Sequence, residues 1–160
     1  MKIMIFIEEQ TLIFTHENIR VEFPVSTSKY GEGYREGSGK TPLGEFEVCE
    51  KIGSDQPKGM IFRDRLPTGE IANLKDGRKD IITSRILRLN GLQKRNSNTL
   101  DRYIYIHGTN DEASIGRKAS IGCVRMKNDD IIVLYDMVRQ GCRVYIRKKL
   151  SQSQRLKIVR

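Results

Sequence analysis

Short runs in which apolar and polar residues alternate, broken by Gly, Pro and Asp, make up most of this chain, and only one stretch carries helical spacing. Ile3 to Ile7 reads as a short buried strand, with Thr11 to Thr15 as its hairpin partner across a Glu8–Gln10 turn. Ile19, Val21 and Phe23 alternate with polar neighbours, and Pro24 limits that strand or places it at an edge, because proline cannot donate to a ladder. Ser26 to Lys40 is rich in Gly and Ser and reads as a long loop. Further strands are expected at Glu45 to Lys51, near Met60–Phe62, at Ile81 to Leu89 and, most cleanly, at Arg102 to His107. The rest of Gly53 to Gly77 and the segment Gln93 to Leu100 read as loops. The helix follows Met126: Asn128 is placed to cap it, Asp129 and Asp130 suit its positive end, and Gly141 follows its last turn. Ile131, Leu134, Tyr135 and Val138 fall on one of its faces, and Arg143 to Ile146 reads as a closing strand.

These elements predict a mainly β single domain, a β-sandwich or barrel with one main helix, over residues 1–147. A basic tail, 148–160, follows as a frayed extension or a short helix. A chain of 160 residues buries roughly 68–70% of its unfolded surface, enough for a core without staples. No apolar run approaches the roughly 18–20 residues of a membrane span, so none is expected. The net charge of +9, with basic clusters at Arg78 to Arg102 and Arg147 to Arg160, favours anionic partners of any kind. No RNA-binding box, zinc finger or basic heptad accompanies it, so nucleic acid is not the expected partner. Three scattered cysteines do not form a disulfide framework, and two histidines without a C-x-x-C argue against a zinc site. No metal and no cofactor are expected, and the domain is expected to be a monomer. The opening MKIMIFIEEQ has an apolar run of five residues, shorter than the roughly 7–15 of a secretory signal. The chain therefore reads as cytoplasmic; a trimmed chain would read the same way and be periplasmic or extracellular.

Chemistry concentrates in two stretches: His107-Gly108-Thr109 at a strand end, and Ser120-Ile121-Gly122-Cys123-Val124-Arg125-Met126 just before the helix. A free thiol with a pKa of about 8.5 is mostly protonated at neutral pH. An imidazole beside it can take the proton and release a thiolate nucleophile, so His107 is expected to lower the pKa of Cys123. A third group must hold the imidazole in the right tautomer. Gly122 permits a tight turn whose consecutive amides can point at a developing oxyanion. Read without further context, Cys123 is equally a buried structural thiol and His107 a core histidine. Cys49 and Cys142 lie in strand-like surroundings without a histidine neighbour and read as core thiols.

The string around His107 and Cys123 resembles the YkuD family of L,D-transpeptidases, whose signature joins a His-Gly segment to Ser/Thr-x-Gly-Cys, an aliphatic residue and Arg. Here these are His107-Gly108-Thr109, Ile115-Gly116 and Ala119-Ser120-Ile121-Gly122-Cys123-Val124-Arg125-Met126. Phe23-Pro24-Val25-Ser26-Thr27 and Thr41-Pro42-Leu43-Gly44-Glu45-Phe46 are similar to two further family segments. The resemblance covers about residues 3 to 147. It implies Cys123 as acylated nucleophile, His107 as base, the Gly108 carbonyl as orienter, and the amides of Gly122 and Cys123 as oxyanion hole. It implies that Ser120 and Arg125 shape the substrate site, Arg125 through hydrogen bonds that hold the loop. The implied substrate is the peptidoglycan stem tetrapeptide, cut at the L,D bond before D-alanine, with acylation by carbapenem-type β-lactams as a family trait. Ile121 departs from the pattern, since many members carry histidine there, and this weakens amine transfer more than acylation. A cytoplasmic form would act as an L,D-carboxypeptidase; an exported one would make 3-3 crosslinks.

Overall fold

The computed structural model describes residues 1–77 and 80–158; Arg78, Lys79, Val159 and Arg160, which belong to the two basic clusters, lie outside the described residues. The strands are β1 (Lys2–Phe6), β2 (Thr11–His16), β3 (Ile19–Pro24), β4 (Gly44–Ile52), β5 (Met60–Arg63), β6 (Leu66–Ile71), β7 (Ile82–Gly91), β8 (Tyr105–Thr109), β9 (Val124–Met126) and β10 (Arg143–Arg147). The helices are α1 (Asn128–Met137) and α2 (Gln152–Ile158).

All of these strands join one sheet in the order β3-β2-β1-β10-β4-β7-β5-β6, with β8 pairing β7 on one side and β9 on the other. Most neighbours are antiparallel, as short connections allow, while β1–β10 and β8–β9 run parallel. The last strand thus inserts between the N-terminal hairpin and β4. One main core draws on strands from β3 across to β7 and on β8 and β9, among them Ile3, Phe14, Phe46, Leu89, Ile106 and Val144, so the sheet curls around it. The helix α1 closes that core with Ile131 and Leu134, both fully buried, and packs on β7 and β8. Each such side chain contributes roughly 1.5–3 kcal/mol by leaving water. The mainly β domain with one main helix after Cys123 is what the sequence pattern led us to expect.

Three local expectations fail, each for a physical reason. Leu66–Ile71 (LPTGEI), expected as loop, is strand β6; it lies at the sheet edge, where Pro67 is tolerated, and its residues are largely exposed, so no alternation marks it. Arg102 and Tyr103, expected as strand, lie in a turn, with Tyr103 in the left-handed region at φ 55°, and Ile104 stands outside β8. Asn128 does not cap α1. The residue at the cap is Lys127, and Asn128 is the first helical residue, fully buried. Its side chain is spent elsewhere: Oδ1 accepts from Thr83 Oγ1 at 2.6 Å and Ser84 Oγ at 2.5 Å, and Nδ2 donates to the Thr109 carbonyl at 2.8 Å. It thereby ties the irregular stretch of β7 to the end of β8.

Candidate active site

The parallel pair β8–β9 sets Ile106 against Val124, His107 against Arg125 and Gly108 against Met126. Residues directly paired in a sheet share a face, so the imidazole and the Arg125 side chain are neighbours. Cys123 immediately precedes β9. The Tyr105 amide donates to its Sγ at 3.3 Å, and the thiol donates to the Tyr103 carbonyl at 3.3 Å. The nucleophile candidate therefore sits beside the Tyr105–His107 stretch of β8. The left-handed turn at Tyr103 is what presents that carbonyl to the thiol.

The turn from Ser120 to Cys123 is held from several sides. Ser120 Oγ donates to the Cys123 carbonyl at 2.6 Å and accepts from the Gly122 amide at 3.2 Å. Gly122 has φ 133°, a conformation that other residues adopt only with strain. Its carbonyl accepts from Thr41 Oγ1 at 2.9 Å, and Thr41 Oγ1 in turn accepts from the Ser28 amide at 3.0 Å. Ser26 and Arg125 exchange both backbone bonds, at 2.8 and 2.9 Å. The Gly/Ser-rich loop read from the sequence is thus a strap, and Ser26, Thr27 and Ser28 are fully buried within it. The amide of Gly122, expected in the oxyanion hole, already donates to Ser120 in this structure. The Cys123 amide is the other donor expected there.

His107 is almost fully buried, and its Nδ1 lies 2.7 Å from the Gly108 carbonyl. A carbonyl only accepts, so Nδ1 carries the proton and Nε2 keeps its lone pair. At Gly108 a Cβ would collide with the Thr83 carbonyl and approach Asn128 Oδ1 to 3.0 Å, so close packing requires glycine there. Burial pushes the His107 pKa below its ordinary value; the Gly108 bond and the Asp80 charge oppose this, and Arg125 adds to it.

Burial acts on Cys123 in the opposite direction, pushing its thiol up to about 12. The Tyr105 amide, Arg125 and Arg102 pull it down, and Asp80 adds to the rise. The net direction in the resting site is therefore upward, opposite to the lowering that activation by His107 is expected to bring. Both partners rest neutral, because a water-poor site disfavours every charged form. The thiol packs against Met60, Phe62, Ile86 and Tyr105, which supply that environment.

Arg125 is buried, donates to the Ala119 carbonyl at 2.5 Å, and lies 3.7 Å from Asp80 Oδ1 and 3.6 Å from Asp111 Oδ2. Its bonds tie the chain before the turn to the far side of the site. Beside the Tyr103 carbonyl opens a cavity of about 400 Å³ lined by Glu36, Asp101, Arg102, Tyr103, Ile104 and Ile121. Ile121 projects there, 61% exposed. Sequence reading missed Asp80, Tyr103 and Asn128 as contributors, since none lies in a recognisable string with the Cys and His. Cys49 is half-buried on β4 with its thiol toward the Arg88 carbonyl at 3.4 Å, and Cys142 is buried in the main core. Burial raises both thiols. Among the described residues no group of His, Cys, Asp and Glu is arranged to hold a metal ion.

Comparison with known proteins bears on this arrangement. A family model described as the L,D-transpeptidase catalytic domain, YkuD, matches residues 1–146. A Bacillus subtilis (strain 168) protein named as a candidate L,D-transpeptidase, YkuD, is 54% identical over 43 residues, 27% of this chain and 26% of that protein. Among solved structures, an L,D-transpeptidase from Mycobacterium smegmatis superposes with a TM-score of 0.59 at 20% identity, covering 91% of this chain and 57% of that one. L,D-transpeptidase 3 from Mycobacterium tuberculosis, solved with a faropenem-derived adduct, gives 0.57 at 16% identity, covering 91% and 59%. At these identities the structural likeness speaks for the fold. The match spans about a quarter of the curated relative, and the chain covers under two thirds of either solved chain.

Proposed function

Since this chain belongs to the YkuD family of L,D-transpeptidase catalytic domains, we propose that it is a cysteine acyltransferase acting on peptidoglycan stem peptides. The observation that carries the reading is the juxtaposition on β8 and β9: a thiol bonded at Tyr105, and two residues along the same strand face an imidazole whose Nδ1 is held by the Gly108 carbonyl. Cys123 Sγ attacks the carbonyl of the third stem residue while Nε2 of His107 takes its proton. The Cys123 amide stabilises the oxyanion, and the Gly122 amide joins it once the Ser120 hydroxyl turns away. Collapse expels the amine of D-alanine, which receives the proton from His107, and leaves a thioester on Cys123. Ser120 and Arg125 keep the turn in shape through the bonds described above. The same attack on a β-lactam carbonyl makes carbapenems acylating agents of Cys123.

For the second half-reaction we favour water, giving an L,D-carboxypeptidase that converts tetrapeptide to tripeptide. Exposed, apolar Ile121 offers nothing to bind an amine at the mouth of the site. This reading goes with a cytoplasmic location, where soluble muropeptides are the available substrates; fractionation of the native protein tests it. A transpeptidase making 3-3 crosslinks is the second reading, favoured by Glu36 and Asp101, whose carboxylates line the neighbouring cavity and suit an ammonium group. Purified tetrapeptide is incubated with and without an amine acceptor, and products are weighed by mass spectrometry. Tripeptide and free D-alanine as the main products in both arms support the carboxypeptidase, and crosslinked dimer as the main product overturns it. In a pentapeptide ending in D-Ala-D-Ala the terminal bond should stay intact, since it joins two D-centres.

A further inference from the structure

The nucleophile and base account for two of the titratable groups at the site, and leave a buried guanidinium gripped by two carboxylates. Arg125 Nη1 lies 3.7 Å from Asp80 Oδ1 and 3.6 Å from Asp111 Oδ2, and Arg125 is paired directly with His107 across β8–β9. Asp80 belongs to the connection between β6 and β7, and that connection is clamped onto the end of β8. Asn110, buried immediately after β8, accepts from the Ile81 amide through Oδ1 at 3.0 Å and donates to the Asp76 carbonyl through Nδ2 at 2.7 Å. One side chain therefore holds the backbone on both sides of Asp80, whose part-exposed carboxylate meets Arg125, the residue paired with His107 across β8–β9. Asp111 is held differently, by its own turn, with its amide on Thr109 Oγ1 at 3.1 Å.

We propose that Asp80 is a positioning residue for the acyl transfer, whose carboxylate, placed by Arg125 and the Asn110 clamp, stabilises His107 in the imidazolium form that follows proton transfer from Cys123. The inference rests on the reading of Cys123 and His107 as nucleophile and base. The charged groups that act on the imidazole are Arg125 from β9 and Asp80 from the connection before β7; Arg102 acts with them on the thiol, and Asp111 pairs with Arg125. Of the two carboxylates on Arg125, Asp80 raises the pKa of both His107 and Cys123, while Asp111 figures in neither shift. The chemical consequence follows from charge alone. In the resting pair the Asp80 carboxylate faces two neutral groups. When Sγ bonds to the substrate carbonyl and its proton passes to Nε2, the new positive charge on the ring meets the negative charge of Asp80. When the proton leaves on the departing amine, the site returns to neutrality at the ring.

The test is the pH profile of Cys123 acylation by a carbapenem, followed through loss of the β-lactam absorbance and the mass of the adduct, for the wild type, Asp80→Asn, Asp80→Glu and Asp111→Asn. Asp80→Asn should acylate roughly tenfold more slowly on the plateau, and its acid limb should move to lower pH, because the imidazolium has lost its stabiliser. Asp80→Glu should keep the wild-type limb. Asp111→Asn should leave the acid limb in place. An unmoved limb in Asp80→Asn, or an equal shift in Asp111→Asn, overturns the proposal. Cys123→Ala, run in parallel, separates the two failures: if it still forms the adduct, the nucleophile assignment itself has failed.

Discussion

The two ends of the molecule are held by different means. Around β8 and β9 the chain is fixed by short, buried hydrogen bonds, most of them to backbone: Ser120 across its own turn, Thr41 to the Gly122 carbonyl, Asn128 to Thr109, His107 to Gly108. On the outer face of β1 and β2 the tail is held by a small apolar cluster of Phe6, Ile13 and Leu150 and by the carboxylate of Glu9. That carboxylate accepts from the Leu150 amide at 3.2 Å and pairs with Arg155 at 3.0 Å, with the Arg155 side chain 58% exposed. Buried neutral bonds fix geometry to fractions of an ångström and are costly to break, whereas exposed ion pairs are screened and contribute little. The excess positive charge of this chain therefore says more about what approaches it than about what holds its site together.

Substitutions should separate the regions sharply. The largest effect is expected at Cys123→Ala, which should lower peptide cleavage by at least about 10³-fold, while Cys49→Ala and Cys142→Ala leave the chemistry intact if the fold survives. Comparable losses in all three, measured by D-alanine release, would erase the distinction. His107→Ala should follow, slower by roughly 10²–10⁴-fold in acylation, with His16→Ala unaffected. Because burial holds the His107 pKa below its ordinary 6.5, wild-type activity should persist below that pH before it falls. The same shift means that the folded state binds fewer protons than the unfolded one in that window, so this contribution to stability is present above about pH 6.5 and lost as pH falls. Cys123 acts at the other end: its raised pKa keeps the proton on in the folded state, so stability should fall as pH rises from about 9 towards 12, and less so in Cys123→Ala.

Asn128→Ala should cost about 1–3 kcal/mol in urea unfolding, since it strands Thr83, Ser84 and the Thr109 carbonyl in the interior. At the tail, Arg155→Ala should change stability by less than about 1 kcal/mol and leave acylation untouched. A larger loss there than at Asn128 would reverse the comparison.

The apolar runs at Ile3 to Ile7 and Ile81 to Leu89 made the sheet legible, because those strands are buried along most of their length. Edge strand β6 was not legible, since nothing buries either of its faces. The Cys123 and His107 strings were readable as a candidate site because they are short and contiguous. The oxyanion-side detail was not: whether the Gly122 amide is free depends on where the Ser120 hydroxyl turns, and that is a matter of packing. The resting protonation state escaped the sequence too, because burial of the thiol among Met60, Phe62, Ile86 and Tyr105 comes from three distant strands. Asn128 looked like a helix cap for the same reason, its real partners being 44 and 45 positions earlier in the chain.

The central claim is that the stem peptide passes through a thioester on Cys123. Rapid acid quenching of the wild-type protein with purified tetrapeptide, followed by proteolysis and mass spectrometry, reads this directly. The account predicts a tripeptidyl adduct, the substrate mass less D-alanine, on the peptide that contains Cys123, labile to hydroxylamine. Turnover with no adduct on that peptide in the wild type, or an adduct that maps to Cys49 or Cys142, would contradict it.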